Sequence, residues 1–183
     1  MKKLEANMLK CCNFIGSIII PYQSKELTEI EEKAFFSCQN LESVVIPNSV
    51  TKIGAEAFAQ SGLKSIILPH GLTEIGNDAF RDCSNLENVA IPETVTKIGH
   101  YAFARSGLKS IILPHGLTEI GECTFYNCSN LENVVTPETV TKIGHLAFAR
   151  SGLKSITLLD GRLTEIDKKA FRGCSNLVVN YRN

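Results

Sequence analysis

Hydrophobic residues recur along this chain at a fixed interval that hardly changes from one end to the other. A block of about 45 residues repeats, and each block divides into halves of 22 and 23 residues. Residues 50–71 read VTKIGAEAFAQSGLKSIILPHG, and residues 95–116 read VTKIGHYAFARSGLKSIILPHG. A fixed period of roughly 20–50 residues is typical of solenoids, in which each unit stacks on its neighbours because it cannot bury its own apolar face. The pattern therefore predicts a solenoid.

Each unit, called a coil below, contains a short stretch of alternating apolar residues. Leu63, Ile66 and Leu68 follow the spacing L-x-x-I-x-L, which predicts a short strand whose alternate side chains point inward. Proline then ends the strand because it cannot donate to a β-ladder. We number coils 1 to 7 by their first residues: Leu27, Val50, Leu72, Val95, Leu117, Val140 and Leu163. The solenoid is expected to cover residues 15–183 as about seven repeats of 22–23 residues, after a partial first repeat.

Two further columns predict the rest of the coil. Phenylalanine recurs once in every coil and should form a stacked column inside the solenoid. Alanine precedes each of these phenylalanines except at Thr124, which predicts a short helical turn packed closely against its neighbour. The position before the strand is always Asn or Gly, the residues that best tolerate a left-handed backbone, so a positive φ is predicted there. These positions are Asn40, Gly62, Asn85, Gly107, Asn130, Gly152 and Asn176.

The first 14 residues are read as a capping segment. Leu4 and Met8 lie at helical spacing with Cys11 or Cys12, which predicts a short amphipathic helix over the first coil.

Charge is balanced and strictly ordered. Lys plus Arg equals Asp plus Glu at 19 each, so no basic patch points to nucleic acid. The longest apolar run is far too short for a membrane span, and no membrane insertion is expected. Glu and Lys alternate from coil to coil in two columns, where neighbours in a parallel stack should pair and hold the register. The columns are Glu29, Lys52, Glu74, Lys97, Glu119, Lys142 and Glu165, and Glu42, Lys64, Glu87, Lys109, Glu132 and Lys154.

Cysteine and histidine do not form a reactive or metal-binding constellation. Cys38, Cys83, Cys128 and Cys174 share one column in alternate coils, roughly 10 Å apart by the strand spacing, too far for disulfides. They are interpreted as small buried thiols. A bridge involving Cys11 or Cys12 stays open. The four histidines also lie too far apart to converge on zinc, and no cofactor or nucleophile motif is present. The expectation is no catalytic residue, no metal and no cofactor.

One outward strand position is apolar in all but one coil. It is occupied by Val45, Ile67, Ala90, Ile112, Val135 and Thr157, which we call the apolar stripe. Two interpretations carry equal weight: β-branched side chains favour strands, and exposed apolar rows with polar rims mark interaction sites. The apolar stripe is the candidate binding site.

The repeat resembles the leucine-rich repeats of the BspA-like (Treponema-type) family. The resemblance extends from about residue 15 to residue 179, and the shared pattern P-x-x-[VL]-T-x-I-G-x-x-A-F occurs at residues 47–58, 69–80, 92–103 and 137–148, and with Thr124 in place of alanine at residues 114–125. The resemblance implies an α/β solenoid: a right-handed leucine-rich repeat superhelix with a parallel sheet on the concave face and short helical turns. It also implies kinship with cell-surface and adhesion proteins, although no signal peptide is visible in this chain.

The functional expectation is a non-enzymatic module that recognises an unidentified protein, as an adhesin would, through the concave sheet. The alternative is a structural spacer or self-assembling unit with contacts at its ends. The last predicted strand has no coil to cover it, and such an edge is a template for another chain. A homodimer through Leu177, Val178, Val179 and Asn180 is therefore expected, unless the chain was cut from a longer array.

Overall fold

The protein is a parallel β-solenoid of about seven coils in a computed structural model that describes residues 3–4, 16–20, 27–159 and 163–182. Three backbone segments form the sides of each coil. Side 1 consists of two-residue strands: β1 (Lys3–Leu4), β3 (Glu29–Ile30), β5 (Lys52–Ile53), β7 (Glu74–Ile75), β8 (Lys97–Ile98), β10 (Glu119–Ile120), β12 (Lys142–Ile143) and β14 (Glu165–Ile166). Side 2 consists of the longer strands: β2 (Ser17–Ile19), β4 (Ser43–Val45), β6 (Ser65–Ile67), β9 (Ser110–Ile112), β11 (Asn133–Val135), β13 (Ser155–Leu159) and β15 (Val178–Arg182).

All strand pairs are parallel, and both sides are divided into two sheets. Side 1 contains a sheet of order β1-β3-β5-β7-β8 and a second of order β10-β12-β14. Side 2 contains a sheet of order β2-β4-β6 and a second of order β15-β13-β11-β9. The predicted parallel stacking is confirmed, whereas the repeat pattern did not predict the interruptions.

Side 3 corrects the α/β class and the short helical turns, since no helix occurs in the described ranges. Instead, two consecutive turns surround each phenylalanine. In coil 2, the backbone N–H of Ala57 donates to Gly54 O and that of Ser61 donates to Phe58 O. Glu56 and Gln60 have φ values of 53° and 59°. These left-handed residues interrupt any helical path and direct alternate N–H groups to carbonyls of the next coil.

The predicted positive φ before the strand is wrong at six of its seven positions, because only Asn176 shows it, at 71°. Glycine occupies this column for a different reason, which is close contact between coils. A Cβ atom on Gly62 would lie 1.9 Å from the carbonyl oxygen of Gln39, and one on Gly107 would lie 2.2 Å from that of Ser84. The backbone of the preceding coil therefore leaves no room for a side chain.

Substitution of these glycines tests the close contact. Gly62→Ala should lower the free energy of unfolding by roughly 2–3 kcal/mol, the usual cost of overpacking a close-packed site. Gly71→Ala is the control, since its Cβ would meet Asn48 O at an ordinary 3.4 Å. Urea unfolding followed by circular dichroism measures both variants, and equal stabilities would contradict the steric explanation.

The phenylalanine column is confirmed as the centre of the core. Its first six members are 0% exposed. Successive rings are stacked, with centroids 4.9 to 5.7 Å apart and interplanar angles of 11° or less. The column consists of Phe35, Phe58, Phe80, Phe103, Phe125, Phe148 and Phe171.

The N-terminal segment departs from the helix prediction where it is described. Lys3 and Leu4 form strand β1, which pairs with β3. The rest of that prediction, with Met8, Cys11 and Cys12, lies outside the described residues.

Candidate functional site

The apolar stripe lies on the outer face of side 2. The pairing register places Val45 beside Ile67, and Ile112 beside Val135 and then Thr157. Ile67 is 65% exposed, Ile112 66% and Val135 56%. Ala90 and Thr157 are also exposed, and Val45 is half-buried. The side chains on either side in sequence point into the core, so the strand alternation places the stripe in solvent.

The stripe continues at both ends beyond the predicted residues. Ile19 pairs in register with Val45 and is 69% exposed. The sequence contained the information needed to include Ile19, because the partial repeat Ile18-Ile-Ile-Pro21 aligns with a later strand and places Ile19 at the stripe position. In coil 7 the same position is taken by Asn180, opposite Thr157, so the apolar character ends there.

Small polar residues border the stripe on one side. The row next to it contains Ser or Asn in every coil from the partial repeat to coil 6: Ser17, Ser43, Ser65, Asn88, Ser110, Asn133 and Ser155. These short side chains leave the neighbouring isoleucines as the most protruding apolar groups.

A row of ion pairs follows the small polar row. Lys64 Nζ lies 2.7 Å from Glu42 Oε1, Lys109 Nζ lies 2.6 Å from Glu87 Oε2, and Lys154 Nζ lies 2.6 Å from Glu132 Oε1. Each lysine contacts the glutamate of the preceding coil, so the pairs fall one to a 45-residue block. All six side chains are about half exposed, so each pair contributes roughly 0.2–1 kcal/mol.

The sheet opens in the middle of the stripe. No strand is assigned to Asn88–Ala90 in coil 3, and a cleft of about 390 Å³ lies between coils 3 and 4. Its lining includes Ala90, Ile91, Ser110 and Ile112. All core residues here are buried, and the inward side chains of coils 2 and 3 are slightly more exposed than Ile111 of coil 4: Ile66 is 7%, Val89 8% and Ile91 9% exposed, compared with 2%. Ala90 therefore forms a notch beside the larger Ile112.

The charge column of side 1 is also interrupted. Lys97 Nζ lies 3.0 Å from Glu74, but β8 has no pairing with β10 in the next coil. The His100 ring is inserted there, and its Nδ1 accepts a hydrogen bond of 3.0 Å from the Glu122 backbone N–H. The backbone N–H of His100 makes an equivalent bond of 2.9 Å to Asn77 Oδ1 at the preceding step, where β7 and β8 are paired.

The cysteines of the shared column make hydrogen bonds inside the core. Cys83 Sγ donates to Phe58 O at 3.1 Å, and Cys128 Sγ donates to Phe103 O at 3.0 Å. Serine occupies the same column in alternate coils, and Ser61 Oγ lies 3.3 Å from Cys83 Sγ. Burial raises the pKa of each of these two thiols to about 11, so at neutral pH both are protonated and weakly nucleophilic. Cys83, Cys123, Cys128 and Cys174 are free thiols.

No group of three His, Cys, Asp or Glu side chains in the described ranges is placed to hold a metal ion. His145 Nδ1 instead lies 3.2 Å from Asp167, and His115 Nδ1 lies 3.0 Å from Glu93. The described residues also contain no helix long and apolar enough to cross a bilayer.

The structure describes the predicted C-terminal edge but does not test its predicted role in forming a homodimer. Leu177 and Val179 pack partly buried against the core, and Val178 is 56% exposed. Asn180 lies in β15, the outermost strand of its sheet. A homodimer through these residues stays a prediction.

Stacked coils, each with leucine before a short parallel strand, define a leucine-rich repeat protein. The chain belongs to the BspA type leucine-rich repeat family, whose model matches residues 2–114 and 51–178 in six copies. None of the curated proteins compared with the chain matches it.

Solved structures show the same fold. A leucine-rich repeat protein from Bacteroides ovatus is 29% identical with a TM-score of 0.67, and the match covers 93% of this chain and 56% of that one. One from Eubacterium ventriosum is 21% identical with a TM-score of 0.67, covering 94% and 61%. The T. pallidum leucine-rich repeat protein is 27% identical with a TM-score of 0.57, covering 89% and 78%. The chain thus spans less than two thirds of the first two proteins.

Proposed function

We propose that this chain is a protein-recognition module that binds its partner through the apolar stripe, extended by Ile19. The proposal is carried by one observation: four large apolar side chains, Ile19, Ile67, Ile112 and Val135, are 56–69% exposed in a single line. The preference of β-branched side chains for strands explains their residue type, and a partner that covers them would remove their apolar surface from water. Each side chain fully removed from water contributes roughly 1.5–3 kcal/mol.

The family and the rim of the stripe support the proposal. Leucine-rich repeat proteins are interaction modules, and solenoids present extended binding surfaces. The serine row and the ion pairs beside the stripe provide the polar rim of an interface. Proteins of this class typically act by binding and not by catalysis. The family resemblance extends the proposal to an adhesin whose partner is a protein at a cell surface.

Site-specific cross-linking tests the proposal in the native cell. A photo-reactive phenylalanine analogue at Val135 should form covalent adducts with a protein, and the same analogue at exposed Thr118 on side 1 should not. Ile67→Lys with Ile112→Lys should then reduce the adduct at position 135 at least tenfold, because two buried charges would have no partner in the interface. Thr96→Lys with Thr118→Lys is the matched control, adding two charges to side 1.

Two results would count against the recognition function. Adducts of equal yield from positions 118 and 135 would show that the stripe is not special. Adducts confined to an analogue placed at Val178 would favour the spacer or self-assembly alternative, with contacts at the ends.

A further inference from the structure

We infer that the partner fitted by the apolar stripe is a second copy of this chain, packed side 2 to side 2 with the two solenoids antiparallel. The inference rests on the proposed function, since it uses the same surface. It requires a two-fold axis that runs parallel to the strands and passes between coils 3 and 4. Such an axis places coil 1 of one copy over coil 6 of the other, coil 2 over coil 5, and coil 3 over coil 4.

Charge complementarity is the first argument. The outer charged row of side 2 alternates in sign through six coils, so this axis places each carboxylate opposite a lysine of the other copy. An axis through the middle of a coil would oppose like charges. Axes between other coils also oppose unlike charges but overlay fewer coils. The cross-copy pairs are Glu42 with Lys154, Lys64 with Glu132, and Glu87 with Lys109, each formed twice by symmetry.

The second argument is shape complementarity between the two stripe residues that lie next to the two-fold axis. Ala90 is the smallest residue of the stripe, and Ile112 is 66% exposed in the next coil. The two-fold operation places Ile112 of each copy over Ala90 of the other. The large Ile112 side chain therefore lies opposite the notch at Ala90 in both copies. The 390 Å³ cleft between coils 3 and 4 lies at the same point.

A second polar row lies on the other edge of side 2, at the position that follows the proline. Its residues also face unlike residues across the two-fold axis. His115 and Glu93 lie in coils 4 and 3, so each faces the other residue type across the axis. His70 in coil 2 likewise faces Glu138 in coil 5. All four side chains are exposed. The same operation therefore also brings unlike residue types together in this second row.

The surface is large enough for this contact. Six coils, each with seven residues from the charged row to the polar row, outline a face of roughly 29 Å by 23 Å. Two such faces bury about 1,300 Å², near the lower limit for specific interfaces. Isologous contact of this size suits a reversible dimer with a micromolar dissociation constant.

Charge exchange provides the test, read by analytical ultracentrifugation of the full chain up to about 100 µM, where a micromolar dimer is populated. The wild type should dimerise. Glu87→Lys alone and Lys109→Glu alone should each weaken the dimer at least tenfold, because like charges then meet twice at the axis. An equimolar mixture of the two variants should regain the dimer, since every charge at the axis again faces its opposite. Ala90→Ile, which fills the notch, should also weaken the wild-type dimer.

Folding of each variant is checked by thermal unfolding, since the exposed Glu87–Lys109 pair contributes at most about 1 kcal/mol. A wild type that is monomeric throughout, a dimer insensitive to both charge variants, or a mixture that does not recover would each overturn the inference. If the stripe nevertheless cross-links to another protein at position 135, the recognition function stands and only its assignment to a second copy fails. If the wild type does not dimerise and position 135 does not cross-link to any protein, both proposals fail.

Discussion

Replacing Phe103 with alanine should lower the free energy of unfolding by about 3–5 kcal/mol, the usual cost of truncating a buried phenylalanine. Phe103 is 0% exposed and lies in the middle of the column, with ring centroids 5.3 Å from Phe80 and 5.7 Å from Phe125. The small group left behind cannot fill the gap between two rings, and the coils cannot close it without breaking the backbone bonds of side 3. Chemical denaturation monitored by circular dichroism gives the difference.

Phe171→Ala is the matched control for Phe103→Ala. Phe171 is only partly buried, and its one ring neighbour in the column is Phe148. Its truncation should therefore cost clearly less than that of Phe103. Equal losses at the two positions would show that stacking on both sides adds nothing, and an undiminished stability of Phe103→Ala would contradict the assignment of the column as the core.

Alkaline pH should destabilise this protein through its buried thiols. The pKa of Cys83 and of Cys128 is raised by burial from 9.0 to about 11 in the folded chain. Between pH 9 and 11 the unfolded chain loses these protons while the folded chain keeps them, so stability falls as pH rises. The full stability is present below pH 9. At pH 10 the loss is roughly 1 kcal/mol for each thiol, since one pKa unit corresponds to about 1.36 kcal/mol.

The double variant Cys83→Ser, Cys128→Ser isolates this effect from lysine and tyrosine titration. Serine does not titrate in this range, and alternate coils already place Ser61, Ser106 and Ser151 in the same column. Denaturant unfolding at pH 8 and pH 10 should show a decrease roughly 2–3 kcal/mol smaller in the double variant than in the wild type. Parallel decreases in the two proteins would indicate that the thiols ionise equally in the folded and unfolded states.

The same thiols illustrate how the 45-residue period arises. Serine in one coil and cysteine in the next contact each other through Oγ and Sγ, at 3.3 Å for Ser61 and Cys83 and 3.4 Å for Ser106 and Cys128. The surface pairs on side 2 alternate with the same period. Both the core and the surface therefore need two coils to repeat, which explains why the duplicated block is twice the length of a coil.

The candidate site was predictable to the extent that strand alternation decides it. Ile67 and Ile112 follow inward-facing Ile66 and Ile111, so their exposure is a consequence of the two-residue period of a strand. Ile19 obeyed the same rule within the partial repeat. The cleft at Ala90 was not predictable, because the residues of coil 3 follow the same pattern as those of coils whose ladders are intact.

The sequence alone determined the stacking, the phenylalanine core, the parallel register and the exposed stripe, because each depends on a residue type recurring at a fixed period. The tertiary structure decided what depends on distances between coils. Glycine at position 62 is required by a carbonyl oxygen of coil 1 and not by its own φ, which no pattern within one coil reveals. The turns of side 3 replaced the predicted helix because their N–H groups bond to the next coil. The openings at Ala90 and His100 likewise arise where one coil meets the next. A repeat pattern predicts which residues lie beside each other, but it does not show at which coils the backbone ladder is interrupted.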